Sequence, residues 1–204
     1  MEPFTTFTAL AVPLARVNVD TDQIIPKQFL MLATRETLGK ALFNDWRYVD
    51  GDWARPDPAF VLNQPRYRAA RILVAGDNFG CGSSRETAPW ALMEYGFRCI
   101  VSTSFADIFY NNSIKNGLLP AIVSAEALAK LVGEVEATEG LEITADLPAE
   151  KMRTSTGLEF RFRIEAHVKH SLLNGLDDIG IILRFEEQIA AFEKRSKAAF
   201  PWLG

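Results

Sequence analysis

Soft metal ligands are scarce in this chain: 204 residues hold two cysteines, Cys81 and Cys99, and two histidines, His167 and His170. Two thiols allow one disulfide at most, too few for a stapled secreted scaffold. A zinc site usually takes four ligands, and these four lie scattered without finger spacing. A four-iron cluster takes three or four thiolates, so the chain is expected to bind no metal and no cluster by itself. An excess of basic charge is also missing. Lys and Arg number 22 against 26 Asp and Glu, a net charge of −4, which provides no field to hold a nucleic acid backbone. No run reaches the ~18 apolar residues of a membrane span. The opening Met1-Glu2-Pro3-Phe4-Thr5-Thr6 has no basic stretch leading into an apolar one, so no secretory signal is expected and the cytoplasm is the expected compartment.

What the chain does have is a core. Hydrophobic residues make up 48%, and the length suits a single domain, residues 1–204. No repeat or low-complexity tract interrupts it. Ala9-Leu10-Ala11-Val12 and Ala15-Arg16-Val17-Asn18-Val19 read as two short strands split by Pro13. Asp20-Thr21-Asp22 has turn chemistry, and a helix is expected to start near Pro26. Residues 44–66 read as a long irregular segment with interleaved Trp46, Tyr48, Trp53 and Phe60. These aromatics either pack on the body or wait for a partner.

The centre is the most legible part. Arg71-Ile72-Leu73-Val74-Ala75 predicts a strand, Ala88 to Tyr95 a helix closed by Gly96, and Cys99-Ile100-Val101-Ser102 a strand. Phe105 to Ile114 predicts a helix stopped at Asn116-Gly117, Leu118 to Val123 a strand, and Glu126 to Val132 a helix. That order implies parallel strands with helical crossovers, the α/β class. Farther on, Leu158, Phe160, Phe162 and Ile164 alternate with Glu159, Arg161, Arg163 and Glu165, the pattern of a half-buried antiparallel strand. His167 and His170 are placed on a strand-to-loop segment as surface or hydrogen-bonding residues. Glu186 to Ala199 predicts an amphipathic helix.

The chemistry concentrates in Gly76-Asp77-Asn78-Phe79-Gly80-Cys81-Gly82-Ser83-Ser84-Arg85-Glu86, between a strand and a helix. In α/β sheets ligands bind at the carboxyl ends of strands. Glycines let backbone N–H groups converge on an anion, the helix N-terminus adds partial positive charge, and Arg85 offers a bidentate fork. These features describe an anion site for a carboxylate or a phosphate. The same residues admit a plainer account, because Ser83 followed by Glu86 is also a capping box. On that account the chain is a non-catalytic anion-binding module. No Gly-Lys-Ser/Thr ends the loop, so it is not a Walker loop. Cys81 lies in this turn as a candidate for oxidation, and Cys99 on an apolar strand as core.

The run Gly76 to Leu92 resembles the signature of the aconitase swivelling-domain family, in its 3-isopropylmalate dehydratase small-subunit form. Four further segments resemble family motifs in the same order: Asn18 to Lys27, Leu42 to Arg47, Ser104 to Asn112 and Asn174 to Gly180. The resemblance covers essentially residues 1–202. It implies a swivelling β/β/α domain with a parallel-centred sheet, flanking helices and peripheral strands. It also implies a hydro-lyase of leucine biosynthesis that interconverts 2- and 3-isopropylmalate, active only with a large subunit that carries a [4Fe-4S] cluster, as a heterodimer or heterotetramer. The implied catalytic residues are Ser83, as base, and Arg85. The implied substrate-binding positions are Ser84, Asp22, Arg35 and Gly82, with Arg35 on a loop that selects the substrate's side chain. Three positions depart from the family pattern: Thr87 where His is usual, and Ser113 and Ser171 where Cys is frequent. They leave the exact hydroxy-diacid open, since a paralogue acting on a methylmalate (citraconate), a dimethylmalate or homoaconitate shares nearly every motif.

Overall fold

A computed structural model describes residues 1–31 and 34–203. The chain enters through strand β1 (Thr6–Leu14), followed by the short helices α1 (Thr21–Ile24), α2 (Arg35–Ala41) and α3 (Asn44–Arg47). The central run is β2 (Ile72–Ala75), α4 (Thr87–Tyr95), β3 (Cys99–Ser102), α5 (Asp107–Asn116), β4 (Leu119–Ile122) and α6 (Ala125–Ala137). Three antiparallel strands follow, β5 (Glu142–Asp146), β6 (Lys151–Thr154) and β7 (Glu159–Arg161), then helices α7 (Ala166–Asn174), α8 (Asp178–Leu183) and α9 (Glu186–Ala199).

Among the described residues the strands make one seven-stranded sheet in the order β4-β3-β2-β1-β5-β6-β7. β1 to β4 run parallel, and β5 to β7 are antiparallel. This is the α/β architecture that the motifs imply, parallel at the centre with a β-rich periphery. β2 and β3 are buried at every position, as befits parallel strands covered on both faces. β6 alternates exposed and buried residues, as an antiparallel strand open to water on one side does.

Several expectations need correction. β1 runs straight through Pro13, which pairs with Val74 in the β1–β2 register. The reason lies in the ladder. Ala11 turns its N–H to the Leu141 carbonyl on the β5 side, and Pro13 faces the same way two residues later. By then pairing with β5 has ended at Leu10 and Glu142, so no ladder bond is lost. Ala15 to Val19 forms no strand: the chain leaves the sheet after Leu14, and Asn18 takes a φ of 54°. In place of a helix at Pro26 there is a single 3₁₀ turn, Lys27–Phe29. The helical turn comes earlier, at α1, where the Asp20 carboxylate accepts from the Gln23 N–H and the Gln23 side chain accepts from the Asp20 N–H.

The strand expected over 158–165 is three residues long. The alternation sets which face is buried but not which strand is the partner. After Arg161 the chain leaves β6 and crosses to the far edge of the sheet, where the Arg163 N–H donates to the Ile122 carbonyl of β4 at 2.8 Å. The sheet therefore curls until its two edges touch. His167 and His170 lie on helix α7, not in a loop. Residues 44–66 pack on the body: Phe43 stacks on Trp46 at 5.7 Å and meets Phe60 at 5.9 Å, and Trp53 stacks on Phe29 at 5.9 Å.

Candidate active site

The glycine-rich segment leaves β2 at the carboxyl edge of the sheet, and its path is held from two sides. On one side, the Asn18 N–H donates to the Asp77 carbonyl, the Gly80 N–H to the Val19 carbonyl at 2.7 Å, and the Thr21 N–H to the Cys81 carbonyl at 2.9 Å. On the other, the Phe79 N–H donates to the Ser104 carbonyl, and the Ala106 N–H to the Phe79 carbonyl. The loop thus continues the sheet beyond its last regular strand residue. Gly80 sits at φ 78° with its missing Cβ filled by Phe109, and Gly82 at φ 86°. Both values lie in the left-handed region that glycine enters without a Cβ penalty.

Asp77 braces the start of the loop. Its carboxylate accepts from the Ser104 hydroxyl at 2.6 Å and the Thr103 hydroxyl at 2.7 Å. Those two bonds, Ser104's first, hold its carboxyl below the usual carboxylate range. The Cys81 thiol is pushed up by burial and by the neighbouring Asp20 carboxylate. That works against thiolate formation. Cys99 is fully buried in β3 as core, and burial raises its thiol strongly.

Ser83 is not the cap of α4. The helix starts at Thr87 with Glu86 at the N-cap position and no side-chain capping bond. This corrects the capping-box account and leaves the Ser83 hydroxyl uncommitted to α4. Pro89 falls in the first turn of this helix, where its missing N–H has no intrahelical partner to lose. Ser83 and Ser84 are exposed. The Arg85 side chain is 13% exposed, and its guanidinium donates through Nη1 to Asp22 at 2.6 Å and to the Ile25 carbonyl at 3.2 Å. A cleft of about 250 Å³ opens here, lined by Thr21, Gly80, Gly82, Ser83, Arg85 and the first turns of α5.

The structure therefore brings Gly82, Ser83, Arg85 and Asp22 together, with Ser84 next along the chain. Arg35 opens α2, and its side chain lies outside the described residues. Thr21 escaped the sequence reading. It is 2% exposed, and its hydroxyl donates to the Ser83 carbonyl at 2.8 Å. The signal that points to it is the Asp20-to-Gln23 spacing of a capping box, which makes Thr21 the first residue of a helical turn instead of part of a loose bend. Of the three departures, Ser113 donates to the Phe109 carbonyl and Ser171 to the His167 carbonyl, each four residues back on its own helix. Thr87 opens α4 with a buried hydroxyl that has no hydrogen-bond partner among the described residues. No group of three or more His, Cys, Asp or Glu placed to hold a metal occurs among the described residues.

Comparison with known proteins agrees along most of the chain. A family model for the aconitase C-terminal domain matches residues 1–126, and a model described as LeuD_N matches residues 129–166. A third, for the C-terminal domain of the 3-isopropylmalate dehydratase small subunit, matches residues 178–204. Among solved structures, a crystal structure of 3-isopropylmalate dehydratase (leuD) from Methanocaldococcus jannaschii is similar, with 25% identity and a TM-score of 0.66, over 92% of this chain and 99% of that one.

Proposed function

The chain belongs to the aconitase C-terminal domain family, as a 3-isopropylmalate dehydratase small subunit, and we infer that it supplies the base and part of the substrate cradle for the interconversion of 2- and 3-isopropylmalate. The carrying observation is the Gly82-Ser83-Ser84-Arg85 loop: an exposed serine beside a guanidinium, in a cleft at the carboxyl edge of the sheet. The hydro-lyase reaction takes a proton from the carbon next to a carboxylate and a hydroxyl from its neighbour. The C–H electron pair becomes the alkene bond, and water then adds with the opposite regiochemistry. Ser83 is the base. A neutral hydroxyl is a weak one, so its alkoxide needs nearby positive charge, which Arg85 provides from a site largely shielded from water. Arg85 is also matched to a substrate carboxylate, and Asp22 orients its guanidinium. Ser84, the Gly82 backbone and Arg35 complete the cradle in this reading.

The [4Fe-4S] cluster belongs to the large subunit, where it supplies a Lewis acid for the departing hydroxyl. The pairing with that subunit, as a heterodimer or heterotetramer, is supported by the C-terminal arm. α8, α9 and the Phe185 between them bury no residue, yet they expose Ile179, Ile182, Leu183, Phe185, Ile189 and Phe192. Apolar stripes of this kind mark interaction surfaces. We read residues 1–204 as one domain, because one sheet runs through the chain from β1 to β7. No described helix is long and apolar enough to cross a membrane; a cytoplasmic subunit without a nucleic acid or membrane partner is part of this proposal.

The test is anaerobic turnover of 3-isopropylmalate, read as ultraviolet absorbance of the alkene, with this chain alone, with its large subunit, and with Ser83→Ala in the mixture. The chain alone is expected to be inactive, and Ser83→Ala in the mixture is expected to keep only a small residual rate. Full activity in Ser83→Ala removes the base from Ser83. Binding of a dicarboxylate by the lone chain, with an inactive mixture that carries an intact cluster, favours the anion-binding module.

A further inference from the structure

One residue holds both carbonyls that flank Gly82. The Thr21 N–H takes the Cys81 carbonyl at 2.9 Å, and the Thr21 hydroxyl takes the Ser83 carbonyl at 2.8 Å. Gly82 lies close against this pair, with its absent Cβ 3.3 Å from Asp20 Cβ and 3.8 Å from Thr21 Oγ1. Thr21 is itself fixed. It is buried, it is the first residue of α1, and the reciprocal Asp20–Gln23 capping bonds hold that turn. Its β-branched side chain has a stiff χ1.

The consequence reaches the site through peptide planarity. No peptide bond in the described chain is cis, and a trans peptide points its C=O and N–H in opposite directions. A Ser83 carbonyl fixed toward Thr21 therefore fixes the whole Ser83–Ser84 peptide plane and aims the Ser84 N–H away from α1. Two residues on, the Asp22 carboxylate of the same turn takes Arg85. The four-residue helix α1 thus grips the Ser83–Arg85 segment at both ends, through a neutral hydroxyl at one and a carboxylate at the other.

We propose that Thr21 is a positioning residue that holds Ser83 in its reactive placement by a hydrogen bond from the Thr21 hydroxyl to the Ser83 carbonyl. The proposal rests on the reading of Ser83 as the base. Thr21→Val keeps the shape and removes the donor, and Thr21→Ser keeps the donor and removes the methyl. Each is assayed with the large subunit, alone and in the Ser83→Ala background. Misplacing a reacting group by about 1 Å costs roughly 100-fold, so Thr21→Val is expected to lower kcat by about 10- to 100-fold with KM changed by less than about threefold. Thr21→Ser is expected to restore kcat to within about threefold of wild type. In the Ser83→Ala background, Thr21→Val is expected to lower the residual rate no further, because two residues acting through one group are not additive. Melting temperatures of all variants are compared so that a folding defect is seen directly. A wild-type kcat in Thr21→Val overturns the proposal, and so does a Thr21→Ser variant as slow as Thr21→Val. Additive losses with Ser83→Ala also overturn it. Full turnover by Ser83→Ala alone refutes the base assignment and takes this proposal with it, whereas a Ser83→Ala left at its residual rate beside a fully active Thr21→Val refutes only the positioning role.

Discussion

Adding one methyl group at Gly80 tests how tightly the loop is built into the fold. A Cβ there falls 2.2 Å from Phe109 Cγ and 2.6 Å from its Cβ and Cδ2, and the backbone sits at φ 78°. The clash is with the root of the side chain, so a rotamer change does not relieve it. Phe109 is 2% exposed, and its ring lies 5.4 Å from that of Phe79 and 6.2 Å from that of Phe105. Relief therefore requires moving α5 or the loop. A left-handed conformation costs a non-glycine residue about 1–2 kcal/mol, and overpacking adds typically about 1–3 kcal/mol. For a chain of this size each kcal/mol moves the melting temperature by about 2–4 °C, so Gly80→Ala is expected to melt about 5–15 °C below wild type by circular dichroism. Phe109→Ala, which removes Cγ and the ring, is destabilising alone but should cost less in the Gly80→Ala background than in wild type. A Gly80→Ala chain that melts within about 2 °C of wild type refutes the close packing of the loop on α5.

Deleting residues 178–204 removes an arm with no buried residue in α8 or α9, one exposed ion pair between Lys115 and Asp178, and the Arg184–His170 contact. Such a pair is worth about 0–1 kcal/mol, so the melting temperature should fall by less than about 4 °C while association with the large subunit, followed by size exclusion, is lost. Undiminished association places the docking surface elsewhere. Thr103→Val removes one of the two hydroxyls that hold the Asp77 carboxyl low. A lowered folded-state pKa contributes stability that is full above the ordinary carboxylate value and is lost as pH falls through the folded-state one. Thr103→Val should therefore melt below wild type at pH 7, with the gap closing below about pH 4. A gap independent of pH assigns the effect to packing.

Much of the centre was legible because parallel strands buried on both faces must be apolar throughout, and helices between them end at glycine. Cys99–Ser102 is a strand with the bounds its sequence implies, and Gly96 and Gly117 close α4 and α5. The boundaries that moved are those where tertiary pairing decides. Pro13 is a strand residue because β5 has already ended beside it. The alternation after Leu158 carries only three residues of β7, because Arg163 finds Ile122 of β4. Neither fact has a local signature.

The same division runs through the site. A glycine-rich strand-to-helix turn with Ser83 and Arg85 is visible in the sequence, since φ above zero needs glycine and an anion needs a guanidinium. Family membership, too, is written in motifs that keep their order along the chain. The sequence leaves open whether Ser83 caps a helix or faces a cleft, because Ser-x-x-Glu satisfies both. That choice depends on where α4 begins, and α4 begins at Thr87. The sequence is equally silent on which side chains reach Ser83 and Arg85 from some sixty positions away. Thr21 and Asp22 do so, because β1 and β2 lie side by side in one parallel sheet and the segments leaving their carboxyl ends must emerge at the same edge.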